Sequence, residues 1–489
     1  MRLVRRSKIG VLIGTSNRPP ALSTEILGNP MSNPGDADDT PLTSVRQMAE
    51  YFSAGCKPRE QFRIGTEHEK FGFRRADLTP PPYLPADGKP GSIRDVLAGL
   101  TRFGATPILD GENPIGLKQG AASVSLEPAG QLELSGGPLQ TLHETRQELH
   151  SHFAQVRAVC ETLDMGFAPL GFHPTATRAA MPWMPKGRYA IMQRYMPLVG
   201  SMGLDMMTRT CTVQVNLDFA SEQDMRRKLR VALLLQPLAT AMFANSPFTE
   251  GKPNGFLSYR AHVWTDTDNQ RAGIPKVMFE DGFGFERYAA WLIEQVPMYF
   301  VYRDSGYIDV AGESFTAYIA GHVPALAGIT ATMGDFADQV TTVFTDVRLK
   351  RFLEMRGSDA GRPEMMLAQS ALWVGLLYDD AALTAAEALL RGAGWEDAVT
   401  ARAAVPRQGL NAPWRGGTLR DIVADVVTIA EDGLRARCHR DASGDDECVY
   451  LDPLRAIAAG ALTQAEHWLG RYHGAWNGRV SPIFAEAAI

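Results

Sequence analysis

The stretch Thr210-Cys211-Thr212-Val213-Gln214-Val215-Asn216-Leu217-Asp218-Phe219 alternates without a break. Cys211, Val213, Val215, Leu217 and Phe219 are apolar, and the residues between them, Thr210, Thr212, Gln214, Asn216 and Asp218, are all polar. Side chains two apart in a strand share a face, so this reads as a half-buried strand with one apolar and one polar side. Cys211 falls on the apolar side, which makes it core rather than a nucleophile.

Working outward, strand candidates lie at Phe62 to Phe73, Pro107 to Leu109, Leu117 to Leu126, Gln131 to Leu134 and Arg348 to Arg356. Helical patterns run over Leu42 to Ala54, Ile93 to Phe103, Leu139 to Met165 and Asp224 to Asn245. After Arg356 the chain is mostly Ala-rich helix, over Glu364 to Arg391, Gly417 to Arg440 and Pro453 to Tyr472. Strands separated by long insertions, with helices gathered late, predict an α+β fold built on an antiparallel sheet rather than a doubly wound parallel one. Residues 1–40 read as a tail and 41–489 as a single catalytic domain whose part from about 360 onward is helical. No GxGxxG or GxxxxGK[ST] phosphate loop is present.

Carboxylates cluster on the strand candidates. In Thr66-Glu67-His68-Glu69-Lys70, Glu67 and Glu69 project from one face with Cα atoms about 6.5 Å apart. Like charges so placed repel unless a cation lies between them or one is protonated; the alternative is a solvated edge strand. In Glu127-Pro128-Ala129-Gly130-Gln131-Leu132-Glu133, Gln131 and Glu133 share a face, while Pro128 and Gly130 imply a bend that leaves the direction of Glu127 open. Arg348 to Arg356 reads as one strand, with Lys350, Glu354 and Arg356 on one face at strand period. Acids and cations together suit a site that holds a hard cation and neutralises a transferring phosphoryl group, whereas an ion-paired surface strand would have the same pattern. Arg188 and Arg260 sit in Gly- and aromatic-bearing stretches, and a guanidinium fork matches a carboxylate.

Composition sets limits. The 489 residues are 45% hydrophobic and 21% charged, an ordinary globular profile, and the net charge of −6 gives no nucleic-acid footprint. No run approaches a membrane-spanning helix. Five dispersed cysteines form neither a disulfide framework nor a zinc pattern and fit a reducing cytoplasm. The first 30 residues are basic at the start and contain one acid, Glu25. They fit an organelle-targeting peptide, an unstructured tail, or a start codon placed ahead of a true Met31. The lack of an amphipathic pattern favours the last two.

These segments, in this order, closely resemble the plant-type glutamate–cysteine ligases shared by plants and many proteobacteria. The likeness extends through Gly203-Leu204-Asp205-Met206-Met207, Asn245-Ser246-Pro247-Phe248, Pro297-Met298-Tyr299-Phe300 and Leu372-Trp373-Val374-Gly375-Leu376-Leu377-Tyr378, and covers about 31–484. The resemblance implies a glutamine-synthetase-like, cupped antiparallel sheet with helices outside. It also implies that Mg2+ and ATP activate the glutamate γ-carboxylate as an acyl phosphate, which the cysteine amine attacks in the first step of glutathione synthesis. It assigns Glu67, Glu69, Glu127, Glu133 and Glu354 to metal, Arg188 and Arg260 to glutamate with Tyr299 nearby in the substrate site, and Arg356 to the transferring phosphoryl group; Lys350, read onto the same strand face, is a catalytic candidate beside it. The partners would be glutamate, cysteine and ATP, with no nucleic acid or membrane, in a monomer or homodimer. Another amine acceptor on the same scaffold is the main alternative. A carboxylate-pair glycosidase, which needs no ATP, comes from a different class, and a non-catalytic binding protein would leave the shared acidic face unexplained. The cysteines of the plant regulatory disulfides fall at Arg146, Val310, Ala325 and Leu367 here, so that thiol switch is expected to be absent.

Overall fold

A computed structural model describes residues 38–85, 91–304 and 306–489. Among the described residues the largest sheet has nine strands: β1 Ile64–Arg74, β2 Thr106–Asp110, β3 Asn113–Gln119, β4 Ala122–Leu126, β5 Leu132–Ser135, β6 Met165–Ala168, β7 Thr212–Leu217, β8 Val347–Leu349 and β9 Leu353–Asp359. Across the sheet the order is β8-β9-β7-β1-β5-β4-β3-β2, with β6 on the far end of β1. Every pairing in it is antiparallel, so the α+β expectation holds.

The register aligns the two chemistries of β7 with those of its neighbours. Gln214 lies opposite Glu67, and Asn216 lies opposite both Gly65 and Glu354. Glu69 lies opposite Glu133, which lies opposite Ser125. Directly opposed residues in an antiparallel pair share a face. One face of the sheet centre is therefore polar from β9 to β4. The other face carries Ile64, Val215, Leu217, Leu353 and Met355 into one apolar core with the helices Glu222–Met242 and Pro363–Leu377. A satellite cluster joins Val213 to Leu149 and Phe153 of the helix Leu142–Leu163.

Several sequence expectations need correction. The strand Thr210 to Phe219 is buried on both faces, not one: Thr212 is 4% and Gln214 1% exposed. Its polar side faces other polar side chains rather than water. Leu117 to Leu126 is a hairpin, because Gly120 at φ 62° turns β3 directly into β4. Arg348 to Arg356 is also a hairpin, closed where Lys350 N donates to Phe352 O at 2.8 Å. Its turn has no Gly, Pro, Asn or Asp, the residues that mark turns in a sequence. The helix predicted over Glu364 to Arg391 breaks at Asp379, whose side chain accepts from Ala382 N and caps a second helix, Asp380–Leu389. The helix predicted to reach Met165 stops at Asp164, in a left-handed conformation, so that Met165 opens β6.

Residues 1–37 lie outside the described residues, and with them most of the segment read as a tail. The carbonyls of Asp38 and Thr40 accept from Gly334 and Met333. All five cysteines are free thiols.

Candidate active site

The polar face is a layer of carboxylates held by short hydrogen bonds. Glu67 accepts from Asn216 Nδ2 at 2.7 Å and Gln214 Nε2 at 3.4 Å. Glu69 Oε2 accepts from Thr212 N at 2.9 Å. Glu133 Oε1 accepts from Ser135 Oγ at 2.8 Å, leaving its Oε2 buried with no partner. Glu354 Oε2 accepts from Arg348 Nε at 2.6 Å and Arg356 Nη1 at 3.0 Å, and its Oε1 is likewise buried without a partner.

Electrostatics divides this layer in two. Burial, then repulsion from Glu354 and Glu133, pushes the Glu67 carboxyl up to about 7. Burial, then Glu127 and Glu133, pushes Glu69 well above the carboxylate range, and Glu133 rises through burial and Glu127. Glu354 goes the other way. Burial opposes its charge, but Arg348, Arg356 and Lys350 together outweigh that and bring it down to about 2.

A cleft of about 830 Å3 opens beside this layer. Glu69, Glu127, Arg188, Arg260, Tyr299 and Arg356 all line it, with Thr212, Trp264 and Phe344. Glu127, whose direction the sequence left open, is thereby placed with Glu69: the tight turn Gly130 N to Glu127 O brings it round. The remaining sequence-predicted residues, Glu67, Glu133, Lys350 and Glu354, stand in the carboxylate layer outside the cleft's lining. Gln214 links the two zones, donating to Glu67 and accepting from Arg356 Nη1.

Lys350 is not on a strand face with Glu354 and Arg356 as predicted. It lies in the β8–β9 turn, 5% exposed, with its ammonium over the Phe352 ring. Glu354 and Arg356 do share a face, and the cation that joins them is Arg348, which sequence reasoning missed. The hairpin sets Arg348 opposite Glu354.

The arginines are held in place by their neighbours. Arg260 Nη2 donates to Arg356 O at 2.9 Å, and its Nε is buried with no partner. The Arg188 guanidinium stacks 5.4 Å from the centre of the Tyr189 ring. Tyr299 is fixed by its hydroxyl, 3.3 Å from Asp268 Oδ2, and by the Arg271 guanidinium 3.8 Å over its ring.

Buried, mutually repelling carboxylates with unsatisfied oxygens fit cations. Among the described residues no group of three acidic, histidine or cysteine side chains converges on one point to hold an ion.

Fold and site together set a layer of buried carboxylates beside an arginine-lined cleft on one face of an open antiparallel sheet. The model of glutamate–cysteine ligase family 2 matches residues 63–486, and the chain belongs to that family. It is 49% identical over 447 residues to glutamate–cysteine ligase B, chloroplastic, of Oryza sativa subsp. japonica, covering 91% of this chain and 87% of that one. It is 46% identical over 486 residues to the chloroplastic glutamate–cysteine ligase of Arabidopsis thaliana, covering 99% and 88%. The crystal structure of a glutamate–cysteine ligase from Francisella tularensis in complex with AMP shares the fold, with a TM-score of 0.52 at 12% identity and 88% coverage of both chains. These names overturn the cytoplasmic expectation: the plant relatives are named chloroplastic. No helix among the described residues is long and apolar enough to cross a membrane.

Proposed function

We infer that this protein joins the γ-carboxylate of glutamate to the amine of cysteine at the expense of ATP. The observation that carries the reading is the carboxylate layer of Glu67, Glu69, Glu133 and Glu354 abutting an arginine-lined cleft, in a chain of glutamate–cysteine ligase family 2. Glu67, Glu69, Glu127, Glu133 and Glu354 would hold Mg2+; Oε1 of Glu354 and Oε2 of Glu133, buried without hydrogen-bond partners, support this reading. Bound there, Mg2+ offsets the polyphosphate charge and the charge that develops during phosphoryl transfer.

Arg188 and Arg260 bind the glutamate carboxylates, and Tyr299 forms part of the wall beside them. A γ-carboxylate oxygen attacks the terminal phosphorus of ATP, and ADP leaves. Arg356, which lines the cleft, faces the transferred group and neutralises it together with Lys350. The cysteine amine then attacks the acyl carbon, loses a proton and expels phosphate. Residues 41–489 act as one catalytic unit, since the sheet and the late helices share a single core.

An isotope experiment tests the acyl phosphate. Glutamate labelled with 18O in its γ-carboxylate should deliver one label to each phosphate released. Unlabelled phosphate would contradict the mechanism.

A further inference from the structure

Arg356 and Asp359 are three residues apart on β9, a spacing that puts side chains on opposite faces of a regular strand. The register with β7 shows how they escape this. Met355 pairs with Val215 and Ser358 with Val213, so three steps along β9 match two along β7. The extra residue is a bulge, which bends its strand and re-aims the side chains beyond it. Thr212 Oγ1 closes it, donating to Ser358 O at 2.7 Å and to Arg356 O at 3.2 Å. Ser358 turns inward and donates to Gln369 Oε1 at 3.0 Å. Asp359 comes round opposite Thr212, on the side of the cleft.

Asp359 is 1% exposed, and its carboxylate gathers the chain that carries Arg260. Oδ2 accepts from Asn245 N at 2.8 Å and from Ser246 Oγ at 2.6 Å. Oδ1 accepts from Ser258 Oγ at 2.8 Å. Both serines pass the constraint on. Ser246 Oγ accepts from Arg260 N at 3.1 Å, and Ser258 Oγ caps the short helix Tyr259–Val263 by accepting from Ala261 N at 3.1 Å. One carboxylate therefore fixes both ends of the loop 246–258 and the helix start on which Arg260 rides. The packing admits no slack on its outer side, where a Cβ on Gly171 would come within 2.3 Å of Asp359 Cγ.

We propose that Asp359 is a positioning residue for Arg260, setting the direction of its guanidinium fork through Ser246 and Ser258 without touching substrate. The substrate concerned, glutamate, rests on the role given to Arg260 above; the coupling between the two residues does not.

The test is a double-mutant cycle on the full chain with Asp359→Asn and Arg260→Lys. The amide keeps the shape of the acid but replaces one acceptor with a donor. Asp359→Asn should raise the KM for glutamate about tenfold while changing that for ATP less than about twofold, and the double variant should lie within about twofold of the worse single one. Independent, multiplying effects would overturn the proposal, and so would equal rises in both KM values. If Asp359→Asn does not fold, Ser246→Ala and Ser258→Ala take its place, with expected rises of about two- to fivefold in the glutamate KM alone. An unchanged glutamate KM in both would also overturn it. If Arg260→Lys by itself spares glutamate, the glutamate role of Arg260 falls, and the cycle is read on whichever KM that variant does raise. The same non-additivity is expected there, and additivity again overturns the proposal.

Discussion

Arg348 stands directly across the β8–β9 hairpin from Glu354, its Nε 2.6 Å from Glu354 Oε2, with both side chains fully buried. Arg356 reaches the same oxygen from along the strand. One carboxylate oxygen thus serves two guanidinium groups, while its twin Oε1 is buried without a hydrogen-bond partner. This arrangement keeps Glu354 ionised among neighbours that are pushed toward protonation.

Removing Arg348 should be costly. Arg348→Met leaves Glu354 buried without one of its guanidinium partners, and breaking a buried pair by deleting one partner costs about 3–5 kcal/mol. Chemical denaturation should show a loss of that order. A change below about 1 kcal/mol would mean the pair is not important to stability.

This pair also shows where the sequence was legible and where it was not. The acids Glu67, Glu69, Glu133 and Glu354 and the polar side of β7 could be read because strand periodicity is local. Arg348 could not, because the hairpin that sets it opposite Glu354 turns at Lys350-Arg351-Phe352, which bears no turn residue. Without the turn, periodicity counted Lys350 onto a face it does not occupy. Asp359 was hidden for a related reason, since a bulge breaks the count of two. The polar side of β7 was read as solvent-facing because burial by a facing site is a tertiary fact.

Glu67→Gln or Glu69→Gln should lower turnover by about two orders of magnitude or more, since each removes a charge that offsets Mg2+ and polyphosphate. The fold should survive, and without metal the Glu67→Gln protein should be at least as stable as the parent, because a repelled buried charge is gone. Near-normal turnover of both variants at saturating Mg2+ would remove these residues from the site.

The raised carboxyl of Glu67 makes a pH prediction. The folded state holds a proton that the unfolded state has already released, so stability is present below the ordinary carboxylate range and is lost as pH rises through about 7. Without metal, the melting temperature should fall over that interval, and Mg2+ should oppose the fall. Glu67→Gln should flatten it. A melting temperature that rises with pH across the same window, and equally in both proteins, would contradict the assignment.

Redox conditions should matter little. Cys160 and Cys211 are buried, and Cys438 and Cys448 donate to separate backbone carbonyls, Arg435 O and Glu431 O. Activity should change less than about twofold, roughly a 0.4 kcal/mol effect, between reducing and mildly oxidising buffer. A larger change reversed by dithiothreitol would contradict this, and Cys438→Ser would then show whether Cys438 is responsible.

Arg260→Lys keeps the charge but loses the fork. The KM for glutamate should rise about tenfold or more, and that for ATP far less. Equal losses would place Arg260 on the phosphates instead.

The most direct measurement is ADP release by the purified chain with ATP, Mg2+ and glutamate, with and without cysteine and across a panel of other amines. Rapid release is expected only when glutamate and cysteine are both present, with one γ-glutamylcysteine formed per ADP. Equal release with other amines, or none with cysteine, would contradict it.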